Sequence, residues 1–329
     1  MENFQALFKL ISQLKVAVIG DVMLDTYIWG NVDRISPEAP VPIVSLDRKE
    51  QRLGGAGNVA LNIHSLGATP YLLSVIGDDE DGKMLTNLFD EKHIPNTYLL
   101  KSKNRITTNK TRVISRNQHI LRLDSEITID LNKEDEKRLI ETFEDFVKVQ
   151  KPDVVILEDY NKGVLTEAVI KCIISICRKE GILTAVDPKR KNFFEFKGVD
   201  LFKPNLKEVK DALNMFTSDV KISVLEIMHA EMQNILHHKV SLITLSEKGV
   251  FYQNNGQAMI IPSHLRNISD VSGAGDTVIA VAALVYAASK SVHLMAEVSN
   301  IAGGLVCEEV GTVGINKEKL LHECELLLV

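Results

Sequence analysis

The chain has 329 residues, 45% of them hydrophobic and 25% charged, and a formal net charge of −6. That length supports one large α/β domain or two small ones, and the acidic balance speaks against nucleic acid as the main partner. With 19 glycines, 9 prolines and no low-complexity tract, long disordered segments are excluded as well.

Cys172, Cys177, Cys307 and Cys324 show no C-x-x-C spacing and read as reduced core thiols. The histidines form neither H-E-x-x-H nor a Cys/His cluster, which argues against structural zinc. Phe4, Leu7, Phe8, Ile11 and Leu14 trace an amphipathic first helix rather than an export signal. The longest apolar run, Val278 to Ala288, is too short for a bilayer. A cytoplasmic protein without a membrane partner is expected.

Val16 to Gly20 reads as a central parallel strand, with Asp21 and Asp25 just beyond its carboxyl end, where open α/β sheets place ligands. Two carboxylates there suit the hydroxyls of a polyol, or close the strand as an Asx turn. Thr26 to Gly30 and Val41 to Leu46, around Pro37, Pro40 and Pro42, predict strands that leave the main sheet. Gly54-Gly55-Ala56-Gly57-Asn58 opens a helix running to Ser65. Gly55-x-Gly57-x-x-Ala60 fits a relaxed dinucleotide fingerprint, but the charged stretch Asp47 to Arg52 precedes it instead of a buried strand. A glycine turn that lets the backbone and Asn58 touch a hydroxylated ligand is the better reading.

Tyr71 to Ile76 predicts a strand. Gly77 to Met84 narrowly misses a phosphate-binding loop: Met84 replaces the magnesium-binding Ser/Thr and four acidic residues would repel phosphates, so it reads as an acidic helix cap. Residues 101 to 123 carry Lys101, Lys103, Arg105, Lys110, Arg112, Arg116 and Arg122 without one acidic residue. Their alternation predicts a hairpin with a basic face, either solvated or a pocket for a substrate phosphate, which arginine binds bidentately. From about 133 the pattern is regular βα, with strands at Val154 to Leu157, Ile182 to Val186, Leu201-Phe202 and Val240 to Leu245. Polar groups follow the strand ends: Glu158-Asp159-Tyr160-Asn161-Lys162, Asp187-Pro188-Lys189-Arg190, Lys203 to Glu208 and Ser246 to Gly249.

Asp270-Val271-Ser272-Gly273-Ala274-Gly275-Asp276-Thr277, followed by an apolar helix, organises the rest. The glycines let a ligand approach the backbone, and the helix N-terminus offers free N–H groups to an anion. Asp276 in that positive end reads as an N-cap or as a group that takes a proton beside a transferring phosphoryl group.

These motifs resemble the ribokinase-like (PfkB-type) carbohydrate kinases over the whole chain. Gly54 to Asn58 stands where that family has its first signature, Asp270 to Thr277 matches its second, and Asn205-Leu206-Lys207-Glu208 matches its N-x-x-E motif. Gly20 to Asp25, Arg34 to Pro42, Arg112 to Gln118 and Arg122 to Asp124 are similar to runs in the heptose-phosphate kinase half of bifunctional kinase/adenylyltransferases. No nucleotidyltransferase H-x-G-H motif occurs, so one kinase domain over 1–329 is expected, and Arg190 stands where a glycine follows Asp-Pro-Lys.

The resemblance implies a doubly wound, mainly parallel α/β sheet flanked by helices, with a small β-sheet lid from about 22–46 and 105–124. ATP and Mg²⁺ are the implied cofactors. Asp276 would be the base and the N–H groups of Gly273, Ala274 and Gly275 the anion hole. Asn205, Leu206, Lys207, Glu208, Ser246, Lys248 and Gly249 would bind ATP, with Glu208 on magnesium through water. Asp21, Asp25, Gly54, Gly55, Asn58, Lys110, Arg112, Arg116, Asn117, Asp159 and Lys189 would hold the sugar. The implied substrate is D-glycero-D-manno-heptose 7-phosphate, converted to the 1,7-bisphosphate, and lids in this family pair between subunits, which implies a homodimer. The rivals are a ribose or fructose kinase of the same fold, a sugar-phosphate sensor without turnover, and an oxidoreductase built on Gly55-x-Gly57.

Overall fold

Short apolar runs that end in Gly, Asp or Glu become the strands of one large sheet. The computed structural model describes residues 3–328 apart from Asn117, Ser218 and Asn255. Helix α1 (Phe4–Ile11) leads into β1 (Lys15–Gly20); β2 (Val22–Ile35) and β3 (Pro42–Gly55) then leave the main sheet. The chain returns through α2 (Ala56–Ser65), β4 (Thr69–Gly77), α3 (Glu80–Glu91) and β5 (Leu99–Ser102), and leaves again as β6 (Thr108–Ser115) and β7 (Gln118–Ser125). Next come α4 (Lys133–Gln150), β8 (Val154–Glu158), α5 (Glu167–Glu180), β9 (Leu183–Asp187) and β10 (Leu201–Phe202). They are followed by α6 (Leu206–Leu213), α7 (Ile222–Leu236), β11 (Val240–Thr244), β12 (Val250–Asn254) and β13 (Gln257–Ile261). Three helices close the chain: α8 (Ala274–Ser289), α9 (Val292–Val306) and α10 (Lys317–Leu327).

The main sheet has nine strands in the order β13-β12-β11-β10-β9-β8-β1-β4-β5. All pairings from β11 to β5 are parallel, and only β12 and β13 run antiparallel at one edge. That edge hairpin has no counterpart in the sequence reading, because Gln253, Asn254 and Gln257 interrupt its apolar alternation.

Period-two alternation sorts the core. Val16 and Val18 of β1, with Val154 and Ile156 of β8, face α1, α2, α8 and α9. Ala17 and Ile19, with Val155 and Leu157, face α4, α5 and α7. Helix α8 is buried from Asp276 through Val285, so its polar N-terminus is pinned at the end of the sheet. Its fit against α9 is close: a Cβ added at Gly303 would stand 2.7 Å from Val278 Cγ2.

The second sheet is four-stranded, β3-β2-β6-β7, with β2 and β6 parallel at its centre. It matches the expected lid, though its strands are longer than the sequence pattern outlined. Asp47 to Arg52, charged and hence not a buried core strand, is still a strand: it belongs to β3, on an exposed sheet. The acidic turn caps α3 as expected, Asp79 Oδ1 accepting the Gly82 N–H at 2.7 Å. All four cysteines are free thiols.

Candidate active site

The carboxyl ends of β1, β8, β9 and β10 converge on the N-terminus of α8. Gly273 caps that helix with φ 78°, and a Cβ there would lie 2.6 Å from Asn58 Nδ2. Only glycine meets both demands. Asp276, one turn in, is 2% exposed. Its Oδ1 accepts the Tyr160 hydroxyl at 2.6 Å and its Oδ2 the Asn58 amide at 2.8 Å. Asn58 is steadied by Asn62, whose Oδ1 in turn accepts the Thr277 hydroxyl and the Ile315 N–H. Burial pushes the Asp276 carboxyl up, the two hydrogen bonds pull it back, and it settles at about 6. It is therefore a carboxylate at neutral pH with more basicity than an exposed aspartate.

Behind it lie Glu158 and Asp187, with one carboxylate oxygen from each of the three residues within 4.8 Å of the others. Asp187 is gripped by Lys203 at 2.8 Å and Lys189 at 3.0 Å. Burial raises its proton affinity, but the two ammonium groups outweigh burial and hold it below the ordinary carboxylate range. Glu158 is fully buried and neither oxygen has a partner among the described residues. Burial, then Asp187 and Asp276, push its proton affinity well up, which favours the neutral acid. Lys203 also comes to 3.8 Å from a Cβ built at Gly275, which puts an ammonium beside the helix N-terminus.

A cleft of about 1420 Å³ opens on one side of that N-terminus, lined by Asn205, Leu206, Lys207, Ser246, Lys248 and Gly249 together with Ala274 and Gly275. Three segments meet here, and they bring the residues expected to bind a nucleotide, Glu208 apart, beside the expected anion hole. Arg190 lines the same cleft. Glu208 takes a different place. It forms a capping box with Asn205, accepting the Asn205 N–H on Oε2 at 2.8 Å, and its Oε1 meets Lys189 at 2.8 Å. Each oxygen thus keeps lone pairs for water but offers no open face for direct ligation.

The sugar side is built where the lid joins the core, and it corrects several expectations. Asp21 is a backbone clamp rather than an open sugar ligand: its carboxylate accepts the N–H groups of Tyr160, Lys162 and Val164 at 2.8, 2.9 and 3.1 Å. Asp25 Oδ1 pairs with Arg112 at 2.6 Å, so Arg112 is spent on a carboxylate. A Cβ on Gly54 would meet Asp25 Oδ2 at 2.6 Å, and one on Gly55 the Asp21 carbonyl oxygen at 2.4 Å. Gly54 lies at the end of β3, and Gly55, with φ 56°, turns the chain from that strand into α2, as expected of a glycine turn. Lys110 is 8% exposed, carries no ion pair among the described residues, and has its ammonium 5.1 Å from the Tyr160 ring centroid. Burial, then Lys162, lowers its proton affinity. Arg116 is not in the pocket. It sits past the end of β6, six residues and roughly 20 Å beyond Lys110, and is largely exposed. Asn117 lies outside the described residues. Asp159, buried beside Asp21, accepts the Asn161 N–H on its Oδ1 and is pushed up to about 7, chiefly by burial.

Sequence reasoning passed over Tyr160, Glu158, Asp187 and Lys203 as members of the site. Their signal was their position at strand ends of a parallel sheet, which does not say which of many polar residues turn inward.

The sequence matches the family described as pfkB family carbohydrate kinase over residues 13–319. The chain belongs to that family. This carbohydrate kinase, a phosphotransferase acting on a hydroxyl group, is 38% identical over 308 residues to "Bifunctional protein HldE" of Helicobacter acinonychis, covering 93% of the chain and 65% of the relative. It is 39% identical over 298 residues to the protein of the same name from Aliarcobacter butzleri, covering 90% of the chain and 61% of the relative. The kinase thus spans just under two thirds of the length of these relatives. Its fold is that of phosphofructokinase-2 from Escherichia coli in complex with potassium, with TM-score 0.78, 19% identity, and 95% and 100% of the two chains covered. Arabidopsis thaliana ribokinase complexed with ribose and ATP gives TM-score 0.72 at 18% identity, with 94% and 99% covered. No helix among the described residues is long and apolar enough to cross a membrane.

Proposed function

We propose that the chain is an ATP-dependent kinase of D-glycero-D-manno-heptose 7-phosphate that phosphorylates the anomeric hydroxyl to give the 1,7-bisphosphate. The observation that carries the reading is the position of Asp276. It is a buried, hydrogen-bonded carboxylate at a helix N-terminus that borders a cleft of about 1420 Å³, and through Tyr160 it is linked to the buried Lys110 of the lid. Likeness to relatives named HldE, together with the heptose-kinase-like runs, names the seven-carbon sugar.

On this reading Asp276 takes the proton of the sugar hydroxyl as it attacks the γ-phosphoryl group of ATP. The N–H groups of Gly273, Ala274 and Gly275, with the Lys203 ammonium beside them, hold the charge of the transferring phosphoryl oxygens. Asn205, Leu206, Lys207, Ser246, Lys248 and Gly249 seat the nucleotide. Magnesium, when bound with ATP, neutralises the phosphate charge. Glu208 with Asn205 would hold its hydration shell, which suits an ion that keeps part of that shell. Asn58, Gly54, Gly55 and Lys189 shape the sugar site, and Lys110 receives the 7-phosphate. The chain acts as one kinase domain with its lid inserted twice. Exposed Leu46, Leu121 and Leu123 on that lid make it the surface for homodimer formation.

A coupled ADP-release assay with a panel of sugars tests the proposal. Heptose 7-phosphate should be turned over far faster than free heptose, ribose or fructose. Preference for ribose or fructose would overturn the substrate, and binding without ADP release would make the protein a sensor.

A further inference from the structure

Tyr160 touches the base, the lid and the core loop together. Its hydroxyl donates to Asp276 Oδ1 at 2.6 Å and its N–H to Asp21. The ammonium groups of Lys110, from lid strand β6, and Lys189, from the core loop, lie 5.1 and 5.2 Å from its ring centroid. The ring edge comes within 3.5 Å of a Cβ built on Gly55, where β3 re-enters the core. A phenol packed this way has few places to turn.

We propose that Tyr160 is the positioning residue of this kinase: its hydroxyl fixes the Asp276 carboxylate in the orientation and ionisation state that proton abstraction requires. The inference rests on the reading of Asp276 as the base. Four facts support it. First, the phenol is held far above its usual proton affinity, mainly by burial and then by Asp276, so it remains a donor. Second, a donated hydrogen bond stabilises the charged carboxylate and not the neutral acid. Third, the other charged or titratable groups facing Asp276 are Glu158 at the end of β8, Asp187 at the end of β9, and Lys189 and Lys203 beyond them. The two lysines are committed to Asp187, and neither Glu158 oxygen makes a hydrogen bond among the described residues, so none of them replaces the phenol. Fourth, Asn58 holds the opposite oxygen, so the two donors together set the carboxylate plane.

The two lysines on the ring extend the role. Displacement of the lid would withdraw Lys110 from the ring, so the donor to the base is buttressed from both the core and the lid.

The test is Tyr160→Phe, which keeps the ring and removes only the hydroxyl. Two measurements are made on the variant. Carbon-13 titration of the Asp276 carboxyl, assigned by its loss in Asp276→Asn, is run without substrate. The pH dependence of kcat is measured with ATP and heptose 7-phosphate. The carboxyl midpoint should rise by about one unit. The acid limb of kcat should move with it, kcat near pH 6 should fall about fivefold, and KM for ATP should stay within about twofold. Raising the pH should restore most of the rate. An unmoved carboxyl midpoint, or a loss of rate that is equal at every pH, would overturn the proposal. If the wild-type protein turns over no sugar phosphate, the functional reading fails while the carboxyl titration still decides the role of Tyr160.

Discussion

The base end of the molecule and its lid are built to opposite rules. Around Asp276, side chains from several strand ends and helices interlock: Asp276, Glu158, Asp187 and Lys203 are each at most 3% exposed, and Asp187 is held by two lysines. The lid is the reverse. Strand β7 is exposed along its whole length, and Leu121 and Leu123 stand more than half exposed. Chemistry that depends on sub-ångström placement is carried by the rigid sheet, whereas recognition is left to a sheet that can shift or find a partner. Lys110 and Tyr160 mark the seam between the two.

The sharpest way to break this contrast is at the base. Asp276→Asn should lower kcat by roughly 10²-fold or more while leaving ATP binding nearly unchanged, as measured by initial rates and nucleotide titration. Retained turnover would reduce Asp276 to a helix cap. Across the seam, Lys110→Met should raise KM for heptose 7-phosphate by about tenfold or more, matching roughly 1.5–3 kcal/mol for a charge-assisted contact. The KM of unphosphorylated heptose should barely move, and an equal effect on both sugars would remove the phosphate from the lid.

Stability should follow the same division. The folded Asp276 carboxyl titrates near 6, above its value in an unfolded chain. The native state therefore binds the proton more tightly, and this contribution is full below about pH 4 and lost as pH rises through 6. Asp276→Asn should accordingly gain stability relative to wild type between pH 4 and 7, on the order of 1–3 kcal/mol, in urea melts across that range. A stability difference that does not depend on pH would contradict the shifted titration. On the lid, Leu123→Asp should shift the sedimentation profile from dimer to monomer with the fold intact. The smallest effect is expected for Arg116→Ala, within about twofold on every kinetic constant, since that side chain sits at the exposed tip of the lid. A large loss would place Arg116 back in the phosphate pocket.

The sequence carried the fold well because parallel strands buried on both faces write themselves as continuous apolar runs. Val16 to Gly20 and Val154 to Leu157 needed no tertiary information. The edge hairpin β12–β13 was missed because an edge strand tolerates polar residues. In the site, glycines and the helix-entry aspartate were legible, since Gly273 and Gly54 answer to local backbone demands. Asp21, Arg112 and Arg116 were not correctly placed, because composition cannot say whether a charge is free. Asp21 is filled by three main-chain N–H groups, Arg112 by Asp25, and Arg116 points away at the tip. Tyr160 was invisible for the related reason that its function lies in a contact with a residue 116 positions later.

The central claim is that Asp276 directs phosphorylation to the anomeric hydroxyl of a sugar already phosphorylated at its other end. Phosphorus-31 NMR of a reaction containing the protein, ATP, Mg²⁺ and D-glycero-D-manno-heptose 7-phosphate tests it directly. The account predicts a new resonance coupled to the anomeric proton, growing in step with ADP beside the retained 7-phosphate signal, and absent with Asp276→Asn. ADP formed without that resonance, or the same resonance at full rate with Asp276→Asn, would contradict it.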